Sequence, residues 1–259
     1  MAVKKELSPR RVRVIVIAVA VFVVAVLGVV LALVAPYERG RVSAPVETIP
    51  APTWAPPATA PVAAEKPRGL GIPSLVDRGW LSATSDRTGI PRRALAAYAG
   101  AALATAKSTP GCGMSWNTLA GIGYVESRHG SYGGASIAAN GAISPPIFGV
   151  ILAGGAVANI PDSDDGKYDL DKKYDRAIGP MQMIPQAWVR WSTDGSGDHR
   201  NKSQNMYDAV LAAANYLCHA GNDLDTEKGW KATIATYNSA PSYLLKVAAA
   251  ASSYSDVQR

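Results

Sequence analysis

One run dominates the hydrophobic pattern of the chain: Val14 to Ala35 (VIVIAVAVFVVAVLGVVLALVA), 22 residues without a charge. As a helix rising 1.5 Å per residue it reaches roughly 33 Å, enough to cross a bilayer core. Lys4, Lys5, Arg10, Arg11 and Arg13 precede it. The positive-inside rule therefore leaves residues 1–13 as a cytoplasmic tail and places everything after the run outside the membrane. The alternative is a cleaved signal peptide. The run is long for such a segment, and Pro36 directly after Ala35 makes a poor cleavage context, so an uncleaved anchor over 14–35 is the expectation.

Beyond the anchor the periodicity vanishes and then returns. Ala44 to Pro67 is rich in proline and alanine with neither a helical nor a strand period. Such a segment stays extended, at ~3.1 Å per residue. Residues 36–68 therefore read as an extracytoplasmic linker and 69–259 as the folded domain. Within that domain apolar spacing predicts helices. Ile90-Pro91 introduces RRALAAYAGAALATAK, with proline at the first turn. Ser115 is a suitable N-cap for WNTLAGIGYVESRH, and Ser203–Ala220 places Met206, Val210, Leu211, Ala214 and Leu217 at helical intervals. Two shorter helices, Trp230–Tyr237 and Pro241–Ala251, close the domain. Gly130 to Asp175, rich in Gly, Pro and Asp, shows no period. So long an excursion in a compact domain is more often functional than a spacer, and a few short strands fit within it. The fold class expected is mainly α, with long loops.

Charge changes little. The formal net charge of +6 is concentrated in the first 13 residues, where five Lys and Arg face Glu6. The basic excess is thus a topology signal, and with no nucleic-acid motif in the chain it does not point to nucleic acid. The two cysteines, Cys112 and Cys218, would lie in an oxidising space and read as a disulfide joining the start of the second helix to the third.

Chemistry narrows to one carboxylate. Leu119, Ile122 and Glu126 share a helix face, and Ala120, Gly121 and Gly123 let other backbone approach it. An apolar setting raises the pKa of Glu126 and keeps it protonated near neutrality, as a general acid requires. A structural glutamate paired with Arg128 or another arginine fits position alone equally well. From residue 69 onward only Glu126 and Glu227 are glutamates, and the aspartates gather in loops, so no second catalytic carboxylate stands out. Other constellations are weak. Glu126-x-x-His129 lacks the further ligands of a di-iron site, and His129, His199 and His219 have no zinc-ligand spacing. No G-x-S-x-G elbow occurs. The runs Asp162–Asp171 and Asp194–Asp198 fail the EF-hand pattern and read as turn-forming loops. Neither a metal nor a cofactor is expected.

Three separated pieces then fall in one order: GIGYVESRHG with Glu126-Ser127, AIGPMQMIPQAW (Ala177–Trp188) and ATYNSAPSYLLKV (Ala235–Val247). This series resembles the lytic murein transglycosylases, nearest to the membrane-bound lytic transglycosylase B-like branch, over about Ile90 to Ser253. It departs from the family's pattern at Thr236, where an aliphatic residue or alanine is expected. The resemblance implies an α+β, lysozyme-like fold with Glu126 as acid. Ser127, Gly179, Met181, Gln182, Tyr237 and Asn238 would shape a cleft for peptidoglycan glycan strands. It also implies non-hydrolytic cleavage of the MurNAc-β-1,4-GlcNAc bond, leaving 1,6-anhydroMurNAc ends on the cell-wall side of the membrane. A lysozyme-type hydrolase and a non-catalytic wall-binding module are the alternatives.

Overall fold

A computed structural model describes residues 51–220 and 223–256. The expected cytoplasmic tail (1–13), the transmembrane helix (14–35) and residues 36–50 of the linker lie outside the described residues. Among those described, no helix is long and apolar enough to cross a membrane.

The protein is mainly helical. Among the described residues seven helices carry the body: α1 (Arg78–Thr88), α2 (Arg92–Ser108), α3 (Trp116–Ser127), α4 (Pro185–Trp191), α5 (Met206–His219), α6 (Glu227–Tyr237) and α7 (Pro241–Asp256). Two short antiparallel ladders sit between α3 and α4. One pairs β1 (Ser136–Ile137) with β2 (Ile143–Ser144). The other pairs β3 (Phe148–Ile151) with β4 (Arg176–Ile178), with an irregular register between Phe148 and Ile151.

Helix α3 runs through the centre, packed chiefly on α7 and α2, while α2 also packs on α5. Its residues 116–123 are all buried. The small residues explain how neighbours come so close. A Cβ on Gly121 would stand 2.9 Å from both Val247 O and Ala251 Cβ of α7. One on Gly123 would stand 2.0 Å from the Tyr98 hydroxyl of α2. Trp230 of α6 donates from Nε1 to Thr118 Oγ1 at 3.0 Å, tying a third helix to α3.

Boundaries shift from the sequence pattern for local reasons. Helix α3 stops at Ser127 rather than His129 because Arg128 and His129 take positive φ angles of 53° and 61°. Helix α5 starts at Met206 rather than Ser203, because Asn205 is its cap and accepts from Tyr207 N at 2.9 Å. Helix α6 begins earlier, capped by Thr226, which accepts from Gly229 N. Helices α1 and α4 had no sequence prediction. Asp77 caps α1 by accepting from Trp80 N, and α4 starts directly at Pro185.

Residues 51–68, which composition assigns to a free linker, lie against the helical body. Their backbone forms no helix, and it has partners. Ala55 is fully buried, Ala58 N donates to Asn117 Oδ1, and Asn117 Nδ2 donates to Pro56 O. Trp116 Nε1 donates to Thr59 O, and Ala63 bridges Val76. The compact unit accordingly begins at Ala51.

Cys112 and Cys218 form the expected disulfide, with Cα atoms 5.2 Å apart. It ties the loop before α3 to the last turn of α5 and closes a sequence separation of 106 residues.

Candidate active site

Glu126 stands in the last turn of α3, in a row with the fully buried Leu119 and Ile122. Its side chain reaches a cleft of about 850 Å³. Tyr243 of α7 donates its hydroxyl to Glu126 Oε1 at 2.5 Å. Burial raises the Glu126 pKa from 4.5 to about 7, and the Tyr243 hydrogen bond only partly opposes it. Among the described residues no cation pairs with Glu126. The nearest candidate in sequence, Arg128, is exposed and holds its guanidinium 4.3 Å from the centre of the Tyr124 ring. The carboxyl group therefore sits in a low-polarity niche without the arginine a purely structural role would supply.

Three hydrogen bonds draw the separated sequence pieces together. Ser127 Oγ, buried, donates to Pro180 O at 2.6 Å and accepts from Gly130 N at 2.8 Å. Tyr237 donates its hydroxyl to Met181 O at 2.6 Å. The tight turn Gly179-Pro180-Met181-Gln182 is thus held on one side by α3 and on the other by the end of α6. Tyr243, six residues after Tyr237, closes the circuit back to Glu126. The rings of Tyr237 and Tyr243 are nearly parallel, 6.5 Å apart. Burial keeps both phenols well above their ordinary pKa, and the nearby Glu126 charge adds to the effect, so both remain protonated donors.

The turn itself requires its residues. Gly179 has φ of 72°, and a Cβ there would stand 2.0 Å from Ser203 O, so only glycine fits. Gln182 also has positive φ, 49°. Its backbone N and its Nε2 both donate to Gly179 O, at 3.1 and 2.8 Å, which leaves Oε1 as its free acceptor. Asn238 follows α6 in extended backbone and accepts from Ala240 N at Oδ1, leaving its amide protons available.

Of the residues expected at the site, Glu126, Gln182, Tyr237 and Asn238 line the cleft. Ser127, Gly179 and Met181 stand behind its wall, where they shape the turn without reaching the open space. The aperiodic excursion supplies the opposite wall, with Gly149, Val150, Leu152, Val157 and Ile160. Two tyrosines had no sequence role. Tyr243 falls inside the third quoted piece but is marked there by nothing except its spacing from Tyr237. Tyr216 lines the cleft from α5 and donates to Thr236 O at 2.7 Å.

The aspartate loops are mostly closed on themselves. Asp194 accepts from Gly197 N, His199 N and Ser196 Oγ, and Asp208 from Gly195 N, Ser196 N and Lys202 N. Among the described residues one carboxylate group has metal-like spacing: atoms of Asp162, Asp164 and Asp175 lie within 4.8 Å of one another. Asp175 accepts twice from Ser163, and Asp162 from two backbone amides. Asp164 Oδ1 is left buried without a partner.

Compared with protein-family models, with curated proteins and with solved structures, the chain matches none.

Proposed function

We propose that the protein is a peptidoglycan lytic transglycosylase, cleaving the MurNAc-β-1,4-GlcNAc bond without water. The observation that carries this reading is a solitary acid: Glu126 is the only carboxylate among the described residues lining the cleft, and it is half-protonated near pH 7. A hydrolase of either common stereochemistry needs a second carboxylate, as nucleophile or as base for a water. A lyase that closes a ring within its own substrate does not.

The chemistry then runs through one side chain. Tyr243 donates to Oε1, so in the acid form the proton is carried on Oε2. Glu126 protonates the glycosidic oxygen while C1 takes on oxocarbenium character and the C1–O bond breaks. The departing strand leaves as an alcohol. The Glu126 carboxylate then takes the proton of the C6 hydroxyl as O6 bonds to C1. This gives the 1,6-anhydro ring and restores the acid. The attack is intramolecular and needs position more than activation. Gln182 Oε1 and the Asn238 amide offer one acceptor and one donor to acetamido groups, and the apolar wall at Val150 and Val157 suits sugar ring faces.

The extracytoplasmic, membrane-anchored location of this activity rests on the 14–35 run. Digestion of purified sacculi by the wild type and by Glu126→Gln, with mass spectrometry of the products, tests the function. Anhydromuramic ends from the wild type alone are expected. Reducing muramic ends would make the protein a hydrolase, and equal release by the variant would make it a binding module.

A further inference from the structure

A second depression of about 920 Å³ lies where the residue 62–70 segment passes the starts of α1 and α2. It shares no lining residue with the Glu126 cleft. Five cations line it: Lys66, Arg68, Arg78, Arg92 and Arg93. Two carboxylates, Glu65 and Asp77, oppose them, and Asp77 is committed to capping α1. The concentration is local. Between residues 65 and 93 six Lys and Arg meet three Asp and Glu, whereas the chain after residue 93 has more acids than bases.

Three of the four arginines occupy positions that helix electrostatics disfavours. Arg78 is the first residue of α1, and Arg92 and Arg93 open α2. These are the positive ends of two helix dipoles, where cations are destabilising and anions stabilising. Helix α2 has no side-chain cap at all, since Pro91 precedes it. Arg93 is pinned over the cleft by a bond from Nη1 to Ile137 O at 2.9 Å, and Arg92 is partly compensated by Asp86 at 3.3 Å. Lys66, Arg68 and Arg78 have no acidic partner among the described residues. Five exposed cations gathered in one groove, three of them at the positive ends of two helices, raise the local potential and favour an anion there.

We propose that this cleft binds an extended phosphodiester polymer. Four of the five cations are arginines, whose forked donors fit phosphate oxygens, and they are spread along a concave groove. A repeating anion satisfies several of them at once, whereas a flat bilayer surface does not enter a groove walled by residues 62–70. The binding does not depend on the glycan chemistry at Glu126.

Isothermal titration of the full chain with a poly(glycerol phosphate) oligomer tests the assignment. Saturable binding is expected, weakening with salt by about 0.7 in log K per log salt for each phosphate engaged. Arg68→Ala/Arg78→Ala should bind at least about tenfold more weakly. That double variant keeps its circular-dichroism spectrum and melting temperature, and Glu126→Gln keeps full affinity. Absent saturation, or affinity unchanged in the double variant, overturns the proposal. Tighter binding of polyglutamate, or of phosphatidylglycerol vesicles over the oligomer, also overturns it, by assigning the cleft to carboxylates or to lipid headgroups.

Discussion

Tyr243 and Glu126 meet through a 2.5 Å hydrogen bond although 117 residues separate them in sequence. That bond does two things to the carboxyl group. It occupies Oε1 as an acceptor, and it restrains the upward pull that burial exerts on the pKa.

Tyr243→Phe removes the restraint and keeps the ring that stacks on Tyr237. The Glu126 pKa then rises above its present value of about 7. On the proposed lyase mechanism Glu126 works only while protonated, so activity falls as pH rises through its pKa, and the alkaline limb moves to higher pH. Peak turnover should drop by roughly tenfold as the acid loses its aim. Turbidity clearance of sacculi between pH 5 and 9 measures both; a limb that stays put or moves down removes Tyr243 from this role.

Ser127→Ala cuts the link between α3 and the Gly179–Gln182 turn. Pro180 O and Gly130 N lose their partner inside a buried site, at a cost of about 1–3 kcal/mol. For a domain of this size that lowers the melting temperature by roughly 2–4 °C per kcal/mol. Activity should fall by about tenfold or more with the pH profile unmoved, because Gln182 shifts while Glu126 keeps its surroundings. A profile that moves with the mutation would mean that Ser127 acts on the acid itself.

Serine at both Cys112 and Cys218 releases the constraint on a 106-residue separation. The chain-entropy contribution at that length is about 4–5 kcal/mol, an upper figure for the loss. Urea unfolding of the variant against the oxidised protein measures it. Thiol titration of the denatured, unreduced protein should find no free thiol.

What could be read beforehand follows from where the signals sit. Helix α3 and the place of Glu126 beside its buried stripe are legible because Leu119, Ile122 and Glu126 share a face, and small residues mark the close approach of α2 and α7. Helix α1 is not: its two buried residues, Thr84 and Ser85, are polar, and its main aromatic contact is the edge of Trp80 against Trp116. Composition marks 51–68 as lacking a helical or strand period but says nothing of a partner. The partner is written in Trp116 and Asn117, some 60 residues away. Among the residues lining the cleft, Glu126 and Gln182 belong to recognisable short pieces. Tyr216 has only local helical context, and its place at the cleft depends on how α5 meets α6.

Glu126 and His129, three residues apart, push stability in opposite directions as pH changes. The folded Glu126 value of about 7 lies above the ordinary 4.5. Its contribution is full below about 4.5 and lost as pH rises through about 7. His129 lies buried between the hydroxyls of Tyr98 and Tyr254, at 3.0 and 2.9 Å. Burial first, and then the Arg128 charge, lower its pKa from 6.5 to about 4. Its contribution is present above 6.5 and lost as pH falls through about 4. Between 4.5 and 6.5 these two contributions change in opposite directions in the wild type. Glu126→Gln removes only the first slope. Measured against the wild type, its stability should gain as pH rises from 4.5 to 7, and at pH 8 it exceeds the wild type by about 1–3 kcal/mol, allowing for the open side of the cleft. Urea unfolding at pH 5, 6.5 and 8 reads the difference without any substrate. A variant no more stable than the wild type at pH 8 would show that the carboxylate carries no burial cost. Glu126 would then lack the raised pKa on which a one-carboxylate lyase depends.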